Sequence, residues 1–426
     1  MKTTRISRRS FLERALAGGA SAGLANLTIT KDLYAQASGP IVIGHHCDLT
    51  GAFTSWGYWH DRAAKTAVDL INKQGGIAGR KVELATEDTE SNPATGARKL
   101  RNLIQRSNAE FIVGSVHSGI MLAALPIATE LKTIYFSTGE ANELTGSKGT
   151  RYSFRTGTDT YSIAAAGIPW CMENLGKSWT MIYADYAWGQ STAQESKLVV
   201  ERMGGKVLAS IPVPLDTKDF VPYIAQIPAD TQVLLPAFIG ALSVGFYTQA
   251  KSSGLDKRVK MYSSSASIEA IAPDDIEGAA EGGYFFENFP RMLKHKDDAF
   301  HKEHNQLIGI DDVHARELNG KRVMDKSHAW QSWEDIFALK QAIETSGYKT
   351  RKDVEGVIQV LEGMQMKNSL AHPQGDKLIR KEDHAGIIDS YISRVESGRF
   401  EVKKRIPKEE LATNMPLRHN LSNLPA

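Results

Sequence analysis

The chain has 426 residues, of which 42% are hydrophobic and 23% charged. That length suits two or three domains with sizeable cores, and that composition is of a folded chain, not a wholly disordered one. A net charge of +2 gives no support to a nucleic-acid binder held by bulk electrostatics, and two cysteines are too few for a disulfide scaffold.

The positive balance is local. Residues 1–37 carry six basic and two acidic side chains, and the remaining chain holds 45 basic and 47 acidic ones, a net −2. Ser7-Arg8-Arg9-Ser10-Phe11-Leu12 precedes an uncharged run from Ala15 to Thr30 and then Ala35-Gln36-Ala37, a small-x-small pattern. The run has 16 residues, fewer than the roughly 20 apolar ones a bilayer span needs. Paired arginines followed by Phe-Leu resemble a twin-arginine export signal, cleaved after Ala37. The resemblance implies export in the folded state to a bacterial periplasm.

Beyond it, strands and helices alternate. Ile41 to Gly44 reads as a buried strand, and Ala63, Ala64, Ala67, Val68 and Ile71 recur at helical spacing until Gly75-Gly76. Lys81 to Glu87 alternates like a strand, and Asn92-Pro93 opens a helix over 94–107. A strand at 111–114 and a helix at 119–131 complete a βαβαβα order, followed by a strand at 133–137, which implies a parallel sheet covered by helices. The order restarts near residue 160, with helices at 163–175, 189–203, 219–227 and 241–253 and strands at 179–183, 206–211, 231–235 and 259–263. Helices at 329–345 and 351–362 follow, then a hairpin of 391–395 and 400–404 around Ser397-Gly398.

Crossings are expected near Phe154-Arg155, Tyr284 to Pro290 and Lys367 to Pro373. The expected fold is α/β, with two Rossmann-like lobes of parallel sheet joined by a multi-strand hinge. Lobe 1 comprises 38–155 and 287–368, and lobe 2 comprises 156–286 and 369–426 with the C-terminal tail. In open α/β sheets, ligands sit at the carboxyl ends of strands.

Enzyme signatures are missing. No phosphate-cradling loop, dinucleotide fingerprint, nucleophile elbow or zinc-protease helix occurs. His45-His46-Cys47-Asp48 ends the first strand, but neighbouring strand residues face opposite ways and do not converge on one ion. His301 and His304, with His295 nearby, read as a solvated helix face. Cys47 and Cys171 read as small buried hydrophobes, with a disulfide between them left open. No catalytic residue, metal site or cofactor is assigned.

Five loop motifs, in order, resemble those of the leucine/isoleucine/valine-binding proteins, the type I solute-binding proteins of ABC importers. They are Asp48-Leu49-Thr50-Gly51-Ala52-Phe53, the run Asp69 to Lys81, Glu87 to Pro93, Gly114-Ser115-Val116-His117-Ser118-Gly119, and Tyr183 to Gly189. The likeness covers Pro40 to about residue 405. It implies a monomeric protein that captures a small amino acid, amide or related carboxylate by hinge closure and delivers it to membrane permease subunits.

Within those loops, Ser118 is placed to cap the following helix, where free amides would suit a ligand carboxylate. His117 belongs to the same loop. In the resemblance, Thr138-Gly139-Glu140 occupies the loop that receives a ligand amine, with Glu140 in place of a small hydroxyl residue. Among aromatic residues near the cleft, Trp56 and Trp188 are the expected walls. Tyr161, Phe238 and Ser264 complete the candidate set. Ser264 stands where amino-acid-binding relatives carry an acid, which puts a plain branched-chain amino acid in doubt. A sensor of the same fold, or a periplasmic hydrolase using the cleft, remain the alternatives.

Overall fold

A computed structural model describes residues 39–269, 271, 278–289, 299–311, 316–323 and 329–425. The export-signal reading of residues 1–37 and His295 lie outside the described residues.

The first lobe is built from β1 (Ile41–Cys47), α1 (Thr54–Lys73), β2 (Val82–Asp88), α2 (Pro93–Gln105), β3 (Phe111–Gly114), α3 (Ser118–Glu130), β4 (Tyr135–Phe136) and β5 (Ser153–Phe154). Its sheet runs β2-β1-β3-β4-β5, parallel throughout. Each helix returns the chain over one face to the next strand, so all the strand ends point one way. Asn92 caps α2 by accepting from the Thr95 amide at 3.0 Å, with Pro93 at the first helical position.

The second lobe follows with α4 (Thr160–Asn174), β6 (Ser178–Ala184), α5 (Ala187–Arg202), β7 (Lys206–Val213), the single turn α6 (Val221–Ile224), β8 (Val233–Ala237), α7 (Gly240–Ser252), the turn α8 (Leu255–Arg258), β9 (Lys260–Ser264) and β10 (Tyr284–Glu287). Asp159 and Ser162 form a reciprocal capping box on α4. After α9 (Ala299–Ile308), the ribbon β11 (Ile310–Asp311) and β12 (Arg316–Glu317), α10 (Ala329–Ser346) and α11 (Val354–Leu361), the chain returns through β13 (Gln365–Met366), β14 (Lys377–Ile379) and β15 (Gly386–Ile388). It ends in the hairpin β16 (Ser390–Glu396) and β17 (Arg399–Ile406), then α12 (Lys408–Asn414).

The second sheet runs β17-β16-β10-β9-β8-β6-β7. The late hairpin joins it antiparallel beyond β10, so this sheet is mixed and not wholly parallel. The expected helix at 219–227 shortens to one turn around Pro222, and the segment expected as a bare crossing from Tyr284 begins with β10.

One hydrophobic core joins β1, α1, α10 and α11 under the first sheet, and two others flank the second sheet. Between them the connections share buried polar groups. Thr156 donates to Asp335 at 2.6 Å, the Asn288 amide donates to Thr158 at 3.0 Å, and Gln374 donates to the carbonyls of Asn288 and Asp389 at 2.9 and 3.0 Å. Buried polar groups survive only when bonded, so this lacing fixes the connections between the lobes.

One correction concerns the histidines, while the cysteines are buried as expected. His301 and His304 are buried, not solvated: α9 lays them on Phe289 and Trp333, with ring centroids 4.9 and 5.1 Å apart. Cys47 and Cys171 are free and buried in different lobes, and burial pushes both thiols well up.

His45 and His46 alternate across β1. His46 bonds Tyr135 Oη at 2.5 Å and the Gly96 carbonyl at 2.8 Å, while the His45 Nε2 lies 4.0 Å from Asp61. Burial, the largest influence, pulls both rings from 6.5 to about 4. They are neutral when folded and protonate when unfolded, so their contribution is lost as pH falls from 6.5 towards 4. At pH 5, unfolding should take up roughly two protons through these rings. Denaturant titrations across pH 7 to 5 should show that loss, and His45→Gln should remove about half of it. A flat profile would contradict the assignment.

Candidate ligand-binding site

The site begins at Asp48, the buried residue after β1. Its carboxylate accepts from the Thr89 hydroxyl, from Ser115 Oγ at 2.6 and 2.9 Å, and from the amides of Val116 and His117 at 2.9 and 3.4 Å. One side chain therefore ties together the loops that follow β1, β2 and β3. Gly57 lets the first turn of α1 close onto this knot, since a Cβ there would lie 1.9 Å from the Asp48 carbonyl oxygen.

The cap of α3 is His117, not Ser118. The His117 Nδ1 accepts from the amides of Gly119 and Ile120 at 3.0 and 3.4 Å. Those two bonds require an unprotonated Nδ1, and burial lowers the ring's pKa, with Asp48 opposing. Ser118 Oγ instead accepts from the Ala141 amide at 3.1 Å. At the helix start, where free amides were expected, those of Val116, His117, Gly119 and Ile120 serve the chain's own acceptors.

The loop after β4 is braced from both sides. Ser137 Oγ donates to the Gly139 carbonyl at 2.9 Å. The fully buried Arg155 donates to the carbonyls of Gly139, Ala141 and Thr158 at 3.2, 3.0 and 3.3 Å. Thr138 Oγ1 lies 3.4 Å from His60 Nδ1, behind the loop. These contacts set Glu140 at the cleft, where its carboxylate accepts from Trp188 Nε1 of the second lobe at 3.0 Å.

A small pocket lies between the lobes, lined by Phe53, Trp56, Val116 and Glu140 on one side and Tyr186, Trp188, Ile239 and Ala266 on the other. Every lining residue belongs to or closely follows the carboxyl end of a strand, or starts the helix after it. The rings form a chain: Phe53 to Trp56 at 5.7 Å, Phe53 to Tyr186 at 6.1 Å and Tyr186 to Trp188 at 6.0 Å. Burial, then the Glu140 carboxylate, push the Tyr186 phenol well up. Glu140 is the one ionisable carboxylate of the lining, and no Lys, Arg or His lines the pocket among the described residues.

Of the sequence candidates, Trp56, Glu140 and Trp188 meet in this pocket. His117 packs at a tilt against Phe53, with centroids 4.7 Å apart, while Ser118, Thr138 and Gly139 shape the wall. Ser264 ends β9 two residues before Ala266, with its buried hydroxyl unbonded. Tyr161 and Phe238 stand elsewhere. The Tyr161 ring lies under Arg418 at 3.7 Å, and its hydroxyl donates to the Pro416 carbonyl at 3.2 Å. Phe238 packs on Phe220 and Phe246 in the second lobe's core, at 5.3 and 5.0 Å. Phe53, Val116, Tyr186, Ile239 and Ala266 were not among the candidates. Phe53, Val116 and Tyr186 lie within the quoted loop motifs, and that position was their one signal.

The profile of the periplasmic binding proteins matches residues 40–399. A Leu/Ile/Val-binding protein homolog 8 from Brucella abortus is 26% identical over 283 residues, 62% of this chain and 69% of that one. A solute-binding protein of an ABC transporter from Rhodopseudomonas palustris, solved with 3,4-dihydroxybenzoic acid, is 22% identical with a TM-score of 0.72, covering 87% of this chain and 98% of that one. A branched-chain amino acid transporter substrate-binding protein from Streptococcus pneumoniae, solved with isoleucine, is 19% identical with a TM-score of 0.69, covering 86% and 98%. The type I binding-protein fold and the family resemblance expected from the loop motifs are borne out.

Proposed function

The chain belongs to the periplasmic binding protein family, and from that premise we propose that it is the substrate-binding component of an ABC importer, holding a small organic solute between its lobes. One observation carries the reading: the pocket draws its walls from both lobes, four residues from each. A solute there touches both halves at once, so it stabilises the closed arrangement over the open one. The differential contact is large because the rings on either side lose theirs when the lobes part. The ligand's polar end meets Glu140, and its apolar body meets Trp56 and Trp188. We assign His117, Ser118, Thr138 and Gly139 to holding that wall and Ser264 to its margin. The closed form then docks on permease subunits, and no bond-making step is assigned to the protein.

The lobe boundaries given from the sequence complete the proposal, as does export by the twin-arginine route with cleavage after Ala37. Arg8→Lys with Arg9→Lys should leave the precursor in the cytoplasm, whereas unchanged processing would exclude that route. The test of the function is a thermal-shift screen over amino acids, amides, ureas, amines and aromatic acids. A binding protein shows a concentration-dependent rise in melting temperature with at least one class, because ligand stabilises only the folded state. Turnover of a bound compound would instead favour an enzyme.

A further inference from the structure

We infer that the C-terminal tail, Met415 to Pro425, is a strap across both lobes, and that Arg418 is its clasp, a positioning residue that holds the lobes together around the solute. This rests on reading the chain as a binding protein whose lobes open and close.

The tail starts in one lobe and continues onto the other. Leu411 and Met415 are buried in a core of the second lobe. Arg202 of α5 donates to the Asn414 carbonyl at 2.8 Å, and Arg380 donates to the Met415 carbonyl at 2.7 Å. Further on, the buried Leu421 covers Gly149, where a Cβ would lie 2.7 Å from the leucine Cδ1. The Ser422 carbonyl accepts from Arg151 at 2.8 Å. Arg151 is itself paired with Glu355 and Glu362, on and just after α11, and α11 packs into the first lobe's core. From Met415 to Leu421 the backbone reaches at most about 22 Å. A short arm fixed at both ends resists any motion that separates its anchors.

Arg418 sits between the anchors. Its Nη2 donates to Asn142 Oδ1 at 2.8 Å and lies 2.8 Å from Glu195 Oε2 on α5. Its guanidinium carbon stands 3.7 Å from the centre of the Tyr161 ring, at the start of α4. One side chain therefore touches the first lobe at Asn142 and the second at Glu195 and Tyr161. A guanidinium suits this place because it bonds in its plane and stacks on a ring face at once. Glu195 is buried, and desolvation pushes its carboxyl up while Arg418 pulls it back.

Asn142 ties the clasp to the pocket wall. It lies two residues beyond Glu140. Its amide donates to Thr160 Oγ1 and Ser191 Oγ at 3.1 and 3.2 Å, and its Nδ2 donates to Asp159 Oδ2 at 3.0 Å. The Glu140 carbonyl accepts from the Thr160 amide at 2.8 Å. The loop that presents Glu140 to Trp188 is thus held to the second lobe from behind. Arg418 adds contacts that last only while Asn142 and Glu195 stay side by side. Contacts made in one arrangement alone bias the equilibrium towards it, so their loss favours lobes further apart.

The test is the distance between spin labels at Ala52→Cys and Leu215→Cys in the ligand-free protein. Both positions are exposed, and the native cysteines are buried. Arg418→Ala should give a longer mean distance and a broader distribution than the parent. Leu421→Ser, which frees the other end of the strap, should do the same. Val233→Ala, which removes packing inside the second lobe's core, should lower the melting temperature and leave the distances as in the parent. If one of the two strap variants does not fold, the other decides alone. An unchanged distribution in either folded strap variant, or an equal lengthening in Val233→Ala, overturns the strap and leaves the binding-protein reading standing. That reading, and the strap with it, falls if no compound of the thermal-shift screen raises the melting temperature.

Discussion

Asp48→Ala is expected to lower the unfolding free energy by roughly 4 kcal/mol and to abolish ligand binding, although Asp48 does not line the pocket. The cost follows from the donors left behind. Ser115 Oγ and the Val116 amide lose their acceptor inside a buried turn, and the Thr89 hydroxyl loses its partner as well. A buried donor deprived of a charged acceptor forfeits about 1.5–3 kcal/mol. Binding is lost because Val116 and Phe53 sit on the loops that Asp48 joins. Phe53 is further held by Ser91 Oγ, which accepts from its amide at 3.1 Å, so its own anchor depends on the same loop cluster. Urea denaturation gives the first number and titration calorimetry the second. A variant with the parent's midpoint and affinity would show that the knot is incidental.

The second large effect belongs between the lobes. Lys377→Met should destabilise the protein by about 3–5 kcal/mol, because it strands the fully buried Glu334 carboxylate. Lys377 is itself fully buried, bonds Glu334 directly, and places its ammonium 4.1 Å from the centre of the Trp330 ring. Burial works to raise the Glu334 pKa, but Lys377 and then His372 outweigh it and hold the carboxyl below its usual range. Pairing Lys377→Met with Glu334→Gln should recover part of the loss, since the stranded charge is then gone. Equal stability of the single and double variants would mean that charge is not the cause. The same site joins α10 to the segment around Gln374, whose amide donates to Glu334 at 2.9 Å. The single variant is therefore also expected to loosen the hinge.

Much of this architecture was legible in the sequence, for local reasons. Ile41-Val42-Ile43 is β-branched, with Ile41 and Ile43 buried and Val42 half-buried, and Ala63, Ala64, Ala67, Val68 and Ile71 line one buried face of α1. Periodicity reports that kind of burial directly. What stayed hidden depends on distant partners. Tyr284–Glu287 lies between Gly282-Gly283 and a proline and reads as a connection. Its strand character comes from pairing with β9 and with β16, more than a hundred residues later. His301 and His304 look solvated among charged neighbours, yet Phe289 and Trp333 supply the surface that buries them.

The pocket divides in the same way. Trp56, Glu140 and Trp188 carry conspicuous chemistry in loops that follow strand ends, so they were found. Ala266 lines it as a plain aliphatic group that carries no signature in a sequence, and Val116 had only its place in a quoted loop motif. Tyr161 had the right type and neighbourhood, but Arg418 and Pro416 of the C-terminal tail claim it. Ser118 was read as a cap with free amides beside it. A neighbouring histidine took the cap instead, and only side-chain geometry distinguishes the two.

The central claim is that a solute between Trp56 and Trp188 draws the two lobes together. The distance between spin labels at Ala52→Cys and Leu215→Cys tests it most directly. Both positions are exposed and follow strand ends of opposite lobes, while the native Cys47 and Cys171 are buried and stay unlabelled. The titrant is the compound that raises the melting temperature most in the screen. Saturation should replace a longer, broader distance distribution by a shorter, narrower one, and Trp188→Ala should weaken that response. A distribution unchanged at saturation would contradict closure on the ligand.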